Sequence, residues 1–185
     1  MRVIGGRLGG RRLTAPRGTS TRPTSDRVRE ATFALLGTVE GERVLDLFAG
    51  TGALGIEALS RGAERAVFVE RDPRAARALR ANLASLGLEQ PQAEVREVEA
   101  IGALRTARRR RETYDLVFID PPYRQLRAIE QALGALLPPL LAPSARVVLE
   151  SDKRVQLKLA PEAGRLQIGQ QRRYGDTTIT IHRHE

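Results

Sequence analysis

The chain has 185 residues, 41% hydrophobic and 29% charged, which is enough for one sizeable core. It holds no cysteine and only His182 and His184, and no apolar run approaches the ~20 residues that cross a bilayer, so disulfides, thiolate metal sites and membrane spans are excluded and no metal site is expected. The net charge is +9, and every basic residue except Lys153 and Lys158 is Arg, whose planar fork of donors suits phosphates and base edges.

The opening MRVIGGRLGG has no apolar core of a signal peptide, so a cytoplasmic location is expected. Residues 1–24 are rich in Gly, Arg and Thr, and MRVIGG and GRRLTAP predict a short hairpin over the intervening glycines. The first 40 residues carry eight Arg against Asp26, Glu30 and Glu40. Such a basic arm points to a polyanionic partner, with a general bias toward Arg as the alternative. RPTSDRVREATFALLG predicts a helix, with Thr24 or Ser25 as its N-cap, Asp26 in its positive first turn and Gly37 ending it.

From residue 43 strands and helices alternate. RVLDLFAG is a strand, ALGIEALSRG a helix, AVFVERD a strand, and PRAARALRANLASLG a helix with proline in its first turn. AEVREV is a weaker strand, followed by a helix over residues 100–109. YDLVFIDPP is a strand, LRAIEQALGALL a helix and ARVVLES a strand, with Arg108–Arg111 expected in the loop before YDLVFIDPP. LQIGQQRRYGDTTITIHR predicts two further strands turning near Tyr174-Gly175-Asp176. The alternation predicts an α/β fold, a mostly parallel sheet with helices on both faces and an antiparallel strand pair at the C-terminal end.

Two motifs carry chemistry. LDLFAGTGALGIEAL holds Gly50, Gly52 and Gly55 in a GxGxxG pattern, which lets backbone approach a ligand ahead of a helix with unpaired N–H groups. Glu70 ends the next strand, the place of a carboxylate that grips ribose hydroxyls. Both features also fit a nicotinamide dinucleotide. Asp46, within the first strand, separates the readings: it would repel a pyrophosphate and suits the cationic methionine end of S-adenosylmethionine (SAM).

The second motif is the corner Asp120-Pro121-Pro122-Tyr123. Two prolines stop a buried strand abruptly and hold an acid and a ring at its carboxyl end. For methyl transfer to an exocyclic base amine, Asp120 and the Pro121 carbonyl can accept the two amine hydrogens, turning the nitrogen lone pair toward the methyl donor. Tyr123 can stack on an extruded base. A plain strand-ending turn with a core Tyr is the alternative.

With these residues in view, the chain resembles the class I SAM-dependent methyltransferases, which have a Rossmann-like fold. Through RVIGGRLGGRRL, RPTSDRVRE, LDLFAGTGALGIEALSRGA, FVERD and DPPY it resembles more closely the RsmD family of 16S rRNA guanine-N2 methyltransferases. The resemblance implies that Asp46, Phe48, Gly50 and Gly52 line the methionine end of SAM. Glu70 and Arg71 would hold the ribose side, and Thr24 and Arg27 would close over the cofactor. Relatives commonly carry Asn or Asp beside Ala to meet the adenine, where this chain has Glu99-Ala100. Arg7, Arg11, Arg12, Arg22 and Arg29 would face RNA.

The expectation is therefore a basic hairpin-and-helix extension over residues 1–37 and a methyltransferase domain over 38–185. It would act as a monomer on a guanine of 16S rRNA in the small ribosomal subunit, guanine 966 by the family resemblance. A DNA adenine-N6 or cytosine-N4 amino-methyltransferase and a non-catalytic RNA-binding protein on the same scaffold are the alternatives. A nicotinamide-dependent oxidoreductase is disfavoured by Asp46.

Overall fold

The computed structural model describes residues 1–15, 25–121, 126–152, 159 and 166–185. Arg22, Thr24 and Tyr123 lie outside the described residues. Seven strands form one sheet: β1 (Arg43–Asp46), β2 (Arg65–Val69), β3 (Ala93–Arg96), β4 (Tyr114–Ile119), β5 (Leu141–Asp152), β6 (Leu166–Tyr174) and β7 (Thr177–His184). Their order is β3-β2-β1-β4-β5-β7-β6, parallel except where β7 pairs antiparallel with β5 and β6. The chain moves outward from β1 to β3, then returns to lay β4 on the other side of β1. That reversal opens a crevice at the carboxyl ends of β1 and β4.

Burial on both faces explains why β1, β2 and β4 read as continuous apolar runs. On one face Val44, Phe68 and Phe118 pack against α1 (Asp26–Leu36), α2 (Ala53–Ser60) and α3 (Pro73–Ser85) through Phe33, Ile56, Leu59, Leu79 and Leu83. On the other, Leu45, Val67, Val117 and Val147 meet α4 (Ala100–Arg109) and α5 (Leu126–Leu136) through Leu104, Ile129 and Leu133. The Phe33 ring lies 5.8 Å from that of Phe118, which sets α1 against the strand leading to Asp120. No helix among the described residues is long and apolar enough to cross a membrane.

The N-terminal hairpin forms, but with a single bridge, Arg2 to Arg12, and a 3-10 turn at Gly6–Leu8 in place of extended strands. Val3, Leu8 and Leu13 sink into the same core as Ile56 and Leu83. The predicted α1 begins as expected, with the Ser25 hydroxyl accepting from the Val28 N–H at 3.2 Å. Two expectations need correction. Arg108 and Arg109, which the expected helix over 100–109 and the expected loop both claimed, lie in the last turn of α4, where their charge complements the helix dipole and Ala103, Leu104 and Ala107 continue the buried stripe. β5 begins at Leu141, four residues ahead of the ARVVLES run, because Leu141 pairs with Tyr114 before the register shifts.

Arg29, expected on the RNA face, also needs correction. It is fully buried, and its Nε lies 3.5 Å from the equally buried Glu57 carboxylate. Its guanidinium also donates to the Arg2 carbonyl and, at 3.1 Å, to Asp26. Glu57 accepts in addition from the Ile4 N–H at 2.7 Å, the Gly5 N–H at 2.8 Å and Arg61 Nε at 2.8 Å. One helix turn places Arg29 beside Val28 and Thr32 on the inward side of α1, where a cation is retained only with such partners. The pair fastens the hairpin and α1 to α2. Glu57→Ala would strand a buried cation and two backbone donors, and should cost about 3–5 kcal/mol of unfolding free energy. Urea denaturation measures it, and an unchanged midpoint would remove this fastening role.

Candidate active site

The carboxyl ends of neighbouring strands bring acids together. Asp46 ends β1, Glu70 follows β2, Asp120 follows β4 and Glu150 lies near the end of β5. β1 pairs with β4 as Asp46 against Phe118, so Asp46 and Asp120 emerge close by on the same face of the sheet.

Between β1 and α2 the chain makes the glycine turn. Gly52 adopts φ +87, and a Cβ there would come within 2.3 Å of the Leu79 side chain. Gly55 has no room either: its Cβ would meet the Phe68 ring at 2.3 Å. Glycine is thus required both for the turn and for the seating of α2 on β2. No side chain at Gly52 caps α2. Asp46 reaches across instead, and its Oδ2 accepts the Gly55 N–H at 3.0 Å. The Glu70 carboxylate braces the same turn, accepting the Gly50 N–H at 2.7 Å and the Asp72 N–H at 2.7 Å. Asp72 in turn caps α3 through the Arg74 and Ala75 N–H groups, chiefly the latter, which hold its carboxyl below the usual range.

Burial pushes the Asp46 carboxyl up to about 7, opposed by the Gly55 N–H and reinforced by the charge of Glu70. Asp120 is raised well above the ordinary carboxylate range, first by loss of water, then by the charges of Glu150 and Asp46. Among the described residues, the strongest influences on these two acids include no cation. A pyrophosphate would add to the repulsion, whereas a ligand carrying an ammonium and a sulfonium would relieve it. The residues therefore fit SAM, with Asp46 and Glu70 as the groups that would hold it.

The other expected residues are placed as follows. Phe48 packs partly buried against the α4–α5 core. Arg71 Nη1 lies 3.2 Å from Glu99 Oε1, and both side chains are exposed beyond the end of β3. Glu99 is the N-cap residue of α4 and Ala100 its buried first residue. Pro121 is buried directly after Asp120. Arg27 is exposed on the first turn of α1, in a cleft that it lines with Arg2 and Glu30. Arg7, Arg11 and Arg12 are exposed; Arg7 donates to Gln92 and Arg11 to the Ser85 carbonyl at 2.8 Å.

Two residues escaped sequence reasoning. Asn82, nearly fully buried on α3, donates from Nδ2 to the carbonyls of Thr51 and Thr14, both at 3.0 Å. Its Oδ1 accepts from the Thr14 N–H at 2.8 Å and hydroxyl at 2.9 Å. It thereby ties the end of the hairpin to the glycine turn, and a lone Asn in a helix gives no signal of this. Glu150 had a signal: like Asp120, it is an acid at the end of an apolar strand.

Fold and site together define a class I methyltransferase, the class that takes its methyl group from SAM. The model of a family described as Conserved hypothetical protein 95 matches residues 1–183. The Bacillus subtilis protein YlbH is 43% identical over 99% of this chain and 98% of its own. Ribosomal RNA small subunit methyltransferase D of Haemophilus influenzae is 37% identical over 88% of this chain and 83% of its own. Among solved structures, the Escherichia coli protein yhhF superposes with a TM-score of 0.84 at 34% identity, covering 100% of this chain and 98% of its own. The chain belongs to the RsmD family.

Asp46 makes stability depend on pH. Its carboxyl binds a proton more tightly when folded than the ordinary value of 3.8, so its contribution is full below about pH 4 and is lost as pH rises through about 7. Relative to Asp46→Asn, the cofactor-free protein should lose roughly 1.4 kcal/mol per pH unit across that window. Urea unfolding of both proteins at pH 5 and 7.5 measures it; parallel curves would refute the buried, uncompensated carboxylate.

Proposed function

We propose that this protein methylates the exocyclic N2 amine of a guanine in 16S rRNA of the small ribosomal subunit, using SAM. The observation that carries the reading is the row of carboxylates, Asp46, Glu70 and Asp120, at the ends of β1, β2 and β4, beside a glycine turn that Asp46 and Glu70 brace. Membership of the RsmD family and the name of the Haemophilus influenzae relative support the RNA substrate. Guanine 966 is the position we assign, and the protein acts as a cytoplasmic monomer.

When bound, SAM supplies an electrophilic methyl group on a sulfonium. Asp46 holds the ammonium, with Phe48 and the Gly50–Gly52 backbone alongside. Glu70 keeps lone pairs beyond those that Gly50 and Asp72 use, and these accept ribose hydroxyls. Arg71 stands with Glu70 on the ribose side, Glu99 and Ala100 border the adenine, and Thr24 and Arg27 close over the cofactor. Asp120 and the Pro121 carbonyl accept the amine hydrogens, and Tyr123 stacks on the base. As nitrogen gains its bond to carbon it sheds a proton, which Asp120, already accepting an amine hydrogen, is placed to take. Residues 1–37 form the RNA-facing extension of a catalytic unit over 38–185, with Arg7, Arg11, Arg12 and Arg22 toward phosphates.

Transfer of tritiated methyl from SAM to rRNA, free and in small-subunit particles, with the product nucleoside identified by mass spectrometry, tests the reaction; absence of N2-methylguanosine would overturn it. Asp120→Ala should lower turnover roughly 100-fold or more while SAM affinity stays nearly constant. An active Asp120→Ala enzyme would remove Asp120 from the chemistry. Reversing Arg11 and Arg12 to Glu should weaken RNA binding and flatten its salt dependence by about one to two in logarithmic slope. Filter binding across a salt series reads this, and an unaltered slope would place the RNA contact elsewhere.

A further inference from the structure

The chemistry of Asp-Pro-Pro-Tyr serves any base amine, so it leaves the choice of base to other residues. The neighbour of Asp120 in the sheet supplies one. Ile119 pairs in parallel register with Leu149, which makes Asp120 and Glu150 the next residues on adjacent strands. Strand spacing puts their backbones about 4.8 Å apart, and the alternation of side chains sends both to the face shared by Phe118 and Val148. The closeness is felt electrostatically, since the charge of Glu150 is among the causes that raise Asp120. Glu150 is half-buried.

Two adjacent acceptors select among bases by hydrogen pattern. In guanine the 2-amino group stands next to N1–H, so the edge presents donors side by side. In adenine the 6-amino group is flanked by the N1 lone pair, and in cytosine the 4-amino group by the N3 lone pair. A second carboxylate beside Asp120 would accept from guanine and would face a lone pair in either of the others, an unpaired and repulsive contact. We propose that Glu150 is the residue that selects guanine: its carboxylate accepts N1–H while Asp120 accepts a hydrogen of the 2-amino group. This rests on the reading of the protein as a guanine-N2 methyltransferase.

The probe is 2-aminopurine, which keeps the 2-amino group but has a bare N1. The nucleotide mapped by mass spectrometry in the wild-type reaction is replaced by 2-aminopurine in small-subunit rRNA, used free or reassembled into particles. Wild-type protein should prefer guanine over 2-aminopurine in kcat/KM by about 10- to 100-fold. Glu150→Gln can donate to a bare N1, and its preference should shrink at least about fivefold, with SAM affinity unchanged. The missing O6 of 2-aminopurine affects both enzymes alike and cancels in the ratio of ratios. If Glu150→Gln lowers both substrates by one factor, Glu150 is structural and the proposal falls. If neither the preference nor the rate changes, Asp120 takes both donors alone and the proposal falls equally. A wild-type enzyme that modifies no guanine overturns the underlying reading instead, which separates the two failures.

Discussion

The parallel pairing of β1 with β4 is the constraint on which the site depends. Val44 lies against Leu116 and Asp46 against Phe118, although the chain visits two other strands between them. Because both strands run the same way, their acids leave the sheet at one edge. Because both faces of β1 and β4 are covered, Asp46 leaves the sheet buried and Asp120 half-buried. The same packing that makes the strands apolar thus raises the proton affinity of Asp46 and Asp120. A crevice built in this way favours cations and donors, and disfavours phosphates, before any particular ligand is considered.

The N-terminal arm is joined to that crevice by polar contacts in a largely apolar core. Glu57 gathers Arg29, Arg61 and the Ile4 and Gly5 amides, and Asn82 joins Thr14 to Thr51. Both anchors use helices that also carry the glycine turn: α2 begins just after it, and α3 packs Leu79 against Gly52. An exposed basic surface is therefore mechanically continuous with the turn that would cradle the cofactor. Arginines of one segment divide between the two duties. Arg29 is a buried strut, whereas Arg7, Arg11 and Arg12 keep access to solvent.

Much of the fold was legible because it is written in near neighbours. The Ser25 cap, Pro73 in the first turn of α3, the glycine turn and the β6–β7 reversal all follow from residues within a few positions of one another. Glu70 and Asp120 were legible in the same way, since each ends an apolar run, whereas Asp46 was expected inside its strand and β1 instead ends at it. The misreadings involve partners distant in the chain. Arg29 looked like a surface cation because nothing beside it reveals Glu57. Arg108 and Arg109 fell both in the expected helix over 100–109 and in a basic run expected in a loop, and the buried Ala-Leu stripe decides for the helix. β5 began early because its first residue answers to Tyr114, not to its own neighbours.

The amino-acid sequence by itself determined the elements, the α/β class, the glycine turn and the acids available at the strand ends, because periodicity, capping and turn chemistry act over a few residues. Only the tertiary structure decided which acids share an edge, which arginine is buried and which carboxylate stands beside Asp120. Those outcomes depend on strand order and register, which are set when the whole apolar core is buried at once. Local composition does not encode them: Glu150 becomes the neighbour of Asp120 only after β5 has docked on β4.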